Sequence, residues 1–142
     1  MHVLSVAKPT LALPCAAICA LALAACGSTV STTAFKGQQH EVAQTIANLQ
    51  ADATAGEQKK LCANDVAATI VTRLGGSKGC ERAIKNQLAE VDSLEVSVQS
   101  IQVAGGGAAA SAHVKSIHAG KTRAGTISLV KEGKAWKVSG VQ

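Results

Sequence analysis

The sequence contains no tyrosine, and phenylalanine, tryptophan and methionine occur once each, as Phe35, Trp136 and Met1. Without interleaved aromatics, its 14 basic side chains cannot build the base-stacking platforms of single-strand nucleic-acid binders. Without tyrosine it also lacks the phenolic donor that stabilises an enolate oxyanion in isomerase-type sites. Both prolines, Pro9 and Pro14, sit near the start, so no proline interrupts a later helix. At 142 residues the chain is too short for an α/β barrel or a two-domain dinucleotide enzyme, and one domain is expected. Long apolar runs are absent as well, apart from one at the start.

That run, residues 11–25 (LALPCAAICALALAA), follows a short leader with one cation, Lys8, and no acid. As a helix it spans about 22 Å, short of the roughly 30 Å hydrocarbon core, which suits a signal-peptide core and not a lasting membrane span. It ends Leu23-Ala24-Ala25-Cys26, followed by Gly27-Ser28-Thr29. This resembles a bacterial lipobox, in which the cysteine is lipidated on sulfur and becomes the first residue. Residues 1–25 are therefore expected to be a lipoprotein signal peptide and Cys26 the attachment site. Residues 26–37 are expected to be a Ser/Thr-rich flexible tether, and residues 38–142 one globular domain. Two acyl chains, at about 0.8 kcal/mol per buried methylene, would hold the protein on the outer face of a cell membrane.

Cleavage leaves 13 basic and 9 acidic side chains, a net charge of +4, scattered along the chain. Scattered charge, few aromatics and an exported location together exclude nucleic acid as partner. Cys15 and Cys19 leave with the leader, and Cys26 takes the lipid. Cys62 and Cys80 remain as an even pair in an oxidising compartment, where a disulfide is expected. It closes a loop of about 18 residues and contributes roughly 3 kcal/mol in the chain-entropy model. Leu, Ile, Val and Phe make up only 25 of the 117 mature residues, so such a staple matters. No His stands at ligand spacing to either Cys, and neither a metal nor a cofactor is expected.

Val42, Ile46, Leu49 and Ala53 recur at helical spacing within residues 38–55, and Gly56 is a stop. Residues 57–61 add a short turn. Asn64 or Asp65 is expected to cap a second helix carrying Val66, Ala67, Ile70, Val71 and Leu74, ended by Gly75-Gly76. Ser77 is expected to cap a third helix over residues 78–91, with Ala83, Ile84, Leu88 and Val91 apolar. From Leu94 the period becomes two. Residues 94–98, 108–114, 126–130 and 134–138 read as strands. Tight turns at Glu132-Gly133, Gly120-Lys121 and Gly105-Gly106 join them. In that register Leu129 faces Trp136, Ile127 faces Val138, Ala112 faces Leu129, and Ile101 lies beside Ala110. One β-bulge near Gln99-Ser100 is needed to bring Val98 and Val96 onto the same face. Ser111, His113, Lys115, Thr126, Ser128 and Lys137 form the wetter face.

The expected class is α+β: N-terminal helices packed on a curved four-stranded antiparallel meander. The opening amphipathic helix, Leu61-Cys62, Gly79-Cys80 with ERAIKNQL, and the closing VKEGKAWKV resemble exported bacterial lipoproteins, of the actinobacterial type, with a nuclear transport factor 2-like domain. The resemblance covers about residues 38–142 and implies a cone of curved sheet wrapped by helices. Members of that family include isomerases and dehydratases as well as non-catalytic binding and assembly modules.

Several local patterns mimic catalytic motifs. Gly75-Gly76-Ser77-Lys78-Gly79 fits the nucleophile-elbow pattern, but a helix precedes it where a strand is required. Gly120-Lys121-Thr122 resembles the end of a phosphate loop, but a strand follows it. Gly105-Gly106-Gly107 reads as a hairpin tip. His113 and His118 fall on opposite faces of a strand, and His40 lies at the first helix; all three read as solvated. Asp52, Asp65 and Asp92 fall at helix ends or loops, where capping and solvation account for them. Trp136, Leu129, Ala110 and Ala112 share the inward face and are the candidates for pocket or core lining. The sequence leans away from an enzyme, toward a lipid-anchored module that binds a small apolar ligand or an envelope protein. The alternatives are a small isomerase- or hydrolase-type enzyme using the cone interior, and a passive, dimerising envelope module.

Overall fold

A computed structural model describes residues 30–89, 95–118 and 120–142. The leader, Cys26, Asp92 and the expected last turn of the third helix lie outside them. Helix α1 (Gln38–Thr54) is followed by a single turn, α2 (Gln58–Lys60), and a π-helical turn over Leu61–Asp65. Two further helices follow, α3 (Ala68–Arg73) and α4 (Gly76–Ala89). Strands β1 (Glu95–Val103), β2 (Ala109–His118), β3 (Lys121–Glu132) and β4 (Ala135–Val141) form one antiparallel meander in sequence order. The α+β plan with helices ahead of a four-stranded meander is what the chain adopts.

The faces of the sheet fall where the period-two pattern puts them, but the register is shifted. Ala112 lies opposite Ile127 and Ala110 opposite Leu129, not Ala112 opposite Leu129. Leu129 lies opposite Val138 and Lys131 opposite Trp136, not Leu129 opposite Trp136. Ile101 lies opposite Ala112, not Ala110. The cause is the placement of each turn by one residue. The β2–β3 hairpin closes on the His118–Lys121 pair and the β3–β4 loop is Gly133-Lys134, so Gly120 and Gly133 each take the other loop position, at φ 72° and 63°. The first hairpin closes through Ala104 N–H donating to the Ala109 carbonyl at 2.8 Å, which makes a four-residue loop. One residue moved in a turn shifts the pairing by two, and a shift of two returns every side chain to its own face.

The β1 bulge is present: Val98 pairs with Val114 and Ser100 with His113, leaving Gln99 unpaired. A second bulge, not expected, leaves Ser139 unpaired between Val138 and Gly140. Each bulge lets strand residues an odd number apart share the inner face. Against that face α1 buries Val42, Ala43, Ile46 and Ala47. Ala110 and Ala112 supply little bulk, so α1 packs close and Ile46 and Leu129 are sealed from solvent. Val30, within the stretch expected to be a tether, is also buried in this core, and Phe35 packs against it.

The helix starts differ from expectation. Neither Asn64 nor Asp65 caps α3. Val66 instead bridges Val138 in parallel, Ala67 N–H donates to the Val138 carbonyl at 2.8 Å, and the α3 helix begins at Ala68. The cap comes from far along the chain, where Glu132 Oε1 accepts the Ala68 N–H at 2.8 Å. Ser77 lies inside α4, which starts at Gly76, because Gly75 and Gly76 both adopt positive φ (95° and 79°) and turn the chain directly into it.

Cys62 in the π-turn and Cys80 in α4 are joined by a disulfide, with Cα atoms 6.0 Å apart. Both are buried. Replacing Cys62 and Cys80 with alanine is expected to lower unfolding free energy by about 3 kcal/mol in denaturant titration. A loss below about 0.5 kcal/mol would show that packing alone holds this corner. A Cβ on Gly79 would lie 1.9 Å from the Leu74 carbonyl oxygen. Gly79→Ala must therefore pry α3 from α4, at an expected loss of about 2 kcal/mol or more in the same titration.

Candidate functional site

Short helices cannot cover the whole inner surface of the sheet. Three of them each present an apolar pair four residues apart: Leu49 and Ala53 on α1, Ile70 on α3 with Leu74 at its C-cap, Ile84 and Leu88 on α4. Residues at that spacing sit one above the other on a helix face. The pairs converge on Leu61, Val66 and the end of β4 (Val138, Gly140, Val141). Between them lies a groove of about 440 Å³ in which, among the described residues, Gln87 is the polar side chain. Leu74 and Val141 are 39% and 70% exposed at its edge.

Next along the chain to the groove residues Val66 and Ala53 stands a carboxyl pair, Asp65 and Asp52. Asp65 ends the π-turn and is only 4% exposed, and its Oδ2 has no hydrogen-bond partner among the described residues. Asp52, in the last turn of α1, is its neighbour within hydrogen-bond reach. Burial, and then the charge of Asp52, push the Asp65 carboxyl up to about 7. Lys137 and Lys60 pull it back only in part. Lys137 Nζ is committed to the carbonyls of Ala63 (3.0 Å) and Asn64, where it ties the π-turn to β4. Lys60 Nζ lies 3.6 Å from Asp52 Oδ1 and pairs with Glu57.

The expectation that capping and solvation account for Asp65 is thus overturned: it caps nothing and is shut away from water. Asn-Asp before an apolar run has the composition of a helix start, and nothing local signals that α3 is capped by Glu132 instead. Trp136, Leu129, Ala110 and Ala112 all lie in the core, and none of them lines the groove. Trp136 reaches outward through Nε1, which donates to Glu41 Oε2 at 3.2 Å, while Lys131 Nζ sits 5.5 Å from the ring centre and 3.4 Å from the same oxygen. His113 Nδ1 lies 3.2 Å from Thr126 Oγ1. His40 Nδ1 lies 3.0 Å from the Thr32 carbonyl. No group of three metal-ligating side chains occurs among the described residues. The elbow-like glycines serve the α3–α4 turn. The helix pairs that build the groove were visible in the sequence as apolar faces; their convergence was not.

No family model matches the chain, and no curated protein matches it. A solved structure whose title names it Rd1NTF2 with five substitutions is similar, at 15% identity and a TM-score of 0.49. The match covers 73% of this chain and 97% of that one.

Asp65 gives the fold a definite pH dependence. An unfolded aspartate ionises near 3.9, whereas in the fold the proton is held to about 7. Between those values the folded state binds more protons, so stability falls as pH rises from about 4 to about 7 and then levels off. Asp65→Asn should flatten that fall and raise stability above neutrality by about 1–3 kcal/mol in denaturant titrations across pH. If Asp65→Asn is less stable than the parent above neutrality, the ionised carboxylate is not the source of the decline.

Proposed function

We propose that the chain is a lipid-anchored cell-envelope module with a nuclear transport factor 2-like domain that binds a small apolar ligand non-catalytically. The observation that carries the binding reading is the groove, whose lining among the described residues is apolar but for Gln87. Its volume falls within the 300–1,000 Å³ or so typical of small-molecule sites, which are mostly apolar with few polar groups. Among the described residues no carboxylate or imidazole lines it, and Asp65 is not one of the lining residues. That arrangement favours holding a ligand over transforming it.

The anchoring part rests on sequence: an apolar run too short to span a bilayer, then Leu23-Ala24-Ala25-Cys26. Three residues separate Cys26 from the buried Val30, four chain steps with a reach of at most about 14 Å. An acylated Cys26 would therefore hold the domain close to the bilayer surface, with little freedom to roam.

Mass spectrometry of the mature N-terminus should find a diacylglyceryl-modified Cys26, and Cys26→Ala should leave the membrane fraction. An unmodified thiol would remove the anchor. Native mass spectrometry of protein taken from its host should show a retained apolar molecule. Ile84→Glu, which places a charge in the groove, should lose it. Retention by Ile84→Glu would place the ligand elsewhere.

A further inference from the structure

We infer that Asp52 and Asp65 form a proton-binding site coupled to the groove, so that a neutral apolar ligand entering the groove brings a proton onto Asp65. The inference builds on the ligand-binding reading above. Its basis is geometric. Asp65 is 4% exposed with Oδ2 unpartnered among the described residues, and it faces a second carboxylate. Both backbone neighbours of this site reach the groove: Val66 follows Asp65, Ala53 follows Asp52, and Leu61 opens the π-turn that Asp65 ends.

The charged groups around the pair are accounted for element by element. Asp52 comes from α1, Lys60 from α2 and Lys137 from β4. On α4, the residue joined to this turn is Cys80, whose disulfide does not titrate. Lys137 is held by two backbone carbonyls, and Lys60 by Asp52 and Glu57. Neither ammonium satisfies Asp65 Oδ2. With no group of three ligating side chains among the described residues, a proton is the cation that fits. Protonated, Asp65 donates to Asp52 and the repulsion between the two charges disappears.

The coupling follows from desolvation. An apolar occupant replaces water against Leu61 and Val66 and lowers the dielectric beside the carboxyl, which disfavours its charged form. Linkage makes the effect reciprocal: what raises proton affinity on binding also tightens binding on protonation. A shift of one pKa unit corresponds to about tenfold in ligand affinity between the protonated and ionised limits.

The test uses the full chain in lipid nanodiscs with cyclohexanol as a neutral probe, corrected against empty nanodiscs. Calorimetry in buffers of different ionisation enthalpy counts protons taken up per probe bound. Carbon-13 carboxyl resonances follow Asp65 directly. Expected are a titration near 7 in the free protein, displaced upward by the probe, net proton uptake, and about tenfold tighter binding at about pH 5.5 than at about pH 8.5. Asp65→Asn should bind with the same affinity at both pH values. Asp52→Asn should keep the titration but move it down. Binding that is independent of pH, or pH dependence retained in Asp65→Asn, overturns the coupling. Absence of binding at either pH overturns the groove reading and the coupling with it, while the carboxyl titration still decides whether the proton site exists.

Discussion

The Cys62–Cys80 cross-link is the constraint on which the helical half of the molecule depends. The segments it joins are individually too short to persist: α2 has three residues, the π-turn five and α3 six. Isolated helices of that size are not stable in water. Their buried apolar side chains are few, and among the described residues α2 and α3 bury none fully. The disulfide fixes the π-turn to α4, and the rest follows from that. Leu61 and Val66 are set as one wall of the groove, Ile84 and Leu88 as another, and Asp65 is carried inward. Gly79 lets α3 and α4 approach closely enough for the bond to be made.

The scarcity of large side chains decides where empty space lies. Across the sheet, Ala110 and Ala112 share one buried core with α1, Ile101, Ile127 and Leu129. The groove lies to one side, lined by Ile70, Leu74, Ile84 and Leu88. At the opposite end of α1, Trp136 and Lys131 share the Glu41 carboxylate through a hydrogen bond and an ion pair, and meet each other in a cation–π contact. The single tryptophan is thus taken up there, and the groove is left to aliphatic side chains.

What the sequence made legible divides along the range of the interactions. Period-two alternation marked the inner face of every strand correctly, since Val98, Val114, Ile127 and Val138 all turn inward or against the core. The pairing partners were two residues off, because Gly120 and Gly133 suit either position of a two-residue loop and a shift of two leaves the faces unchanged. The Gln99 bulge was legible, because without it Ile101 and Val98 would face apart. The Ser139 bulge was not, because Gly140 and Val141 at the chain end carry too little pattern to demand it. Both misplaced helix starts have one cause: a polar residue before an apolar run reads as a cap, while the actual partners, Glu132 and the positive-φ glycines, act through tertiary geometry.

Asp65 is the residue that stability least explains. An apolar side chain of similar size at that position would spare the fold an unsatisfied buried oxygen and a like-charge neighbour, a change that is often stabilising by about 1–4 kcal/mol. Neither role that keeps an aspartate near a helix start applies, since it neither caps α3 nor meets solvent. Lys137, the one cation placed to neutralise it from β4, is turned to the carbonyls of Ala63 and Asn64. The geometry thus preserves a carboxyl whose charge is unfavourable but not prohibitively so, one residue from the groove wall. A group in that position responds to whatever changes the polarity of its surroundings, and the groove, lined by the next residue Val66, is a volume whose contents can change. The destabilised carboxyl and the apolar groove are two features of the same short turn, and each sets the conditions under which the other is occupied.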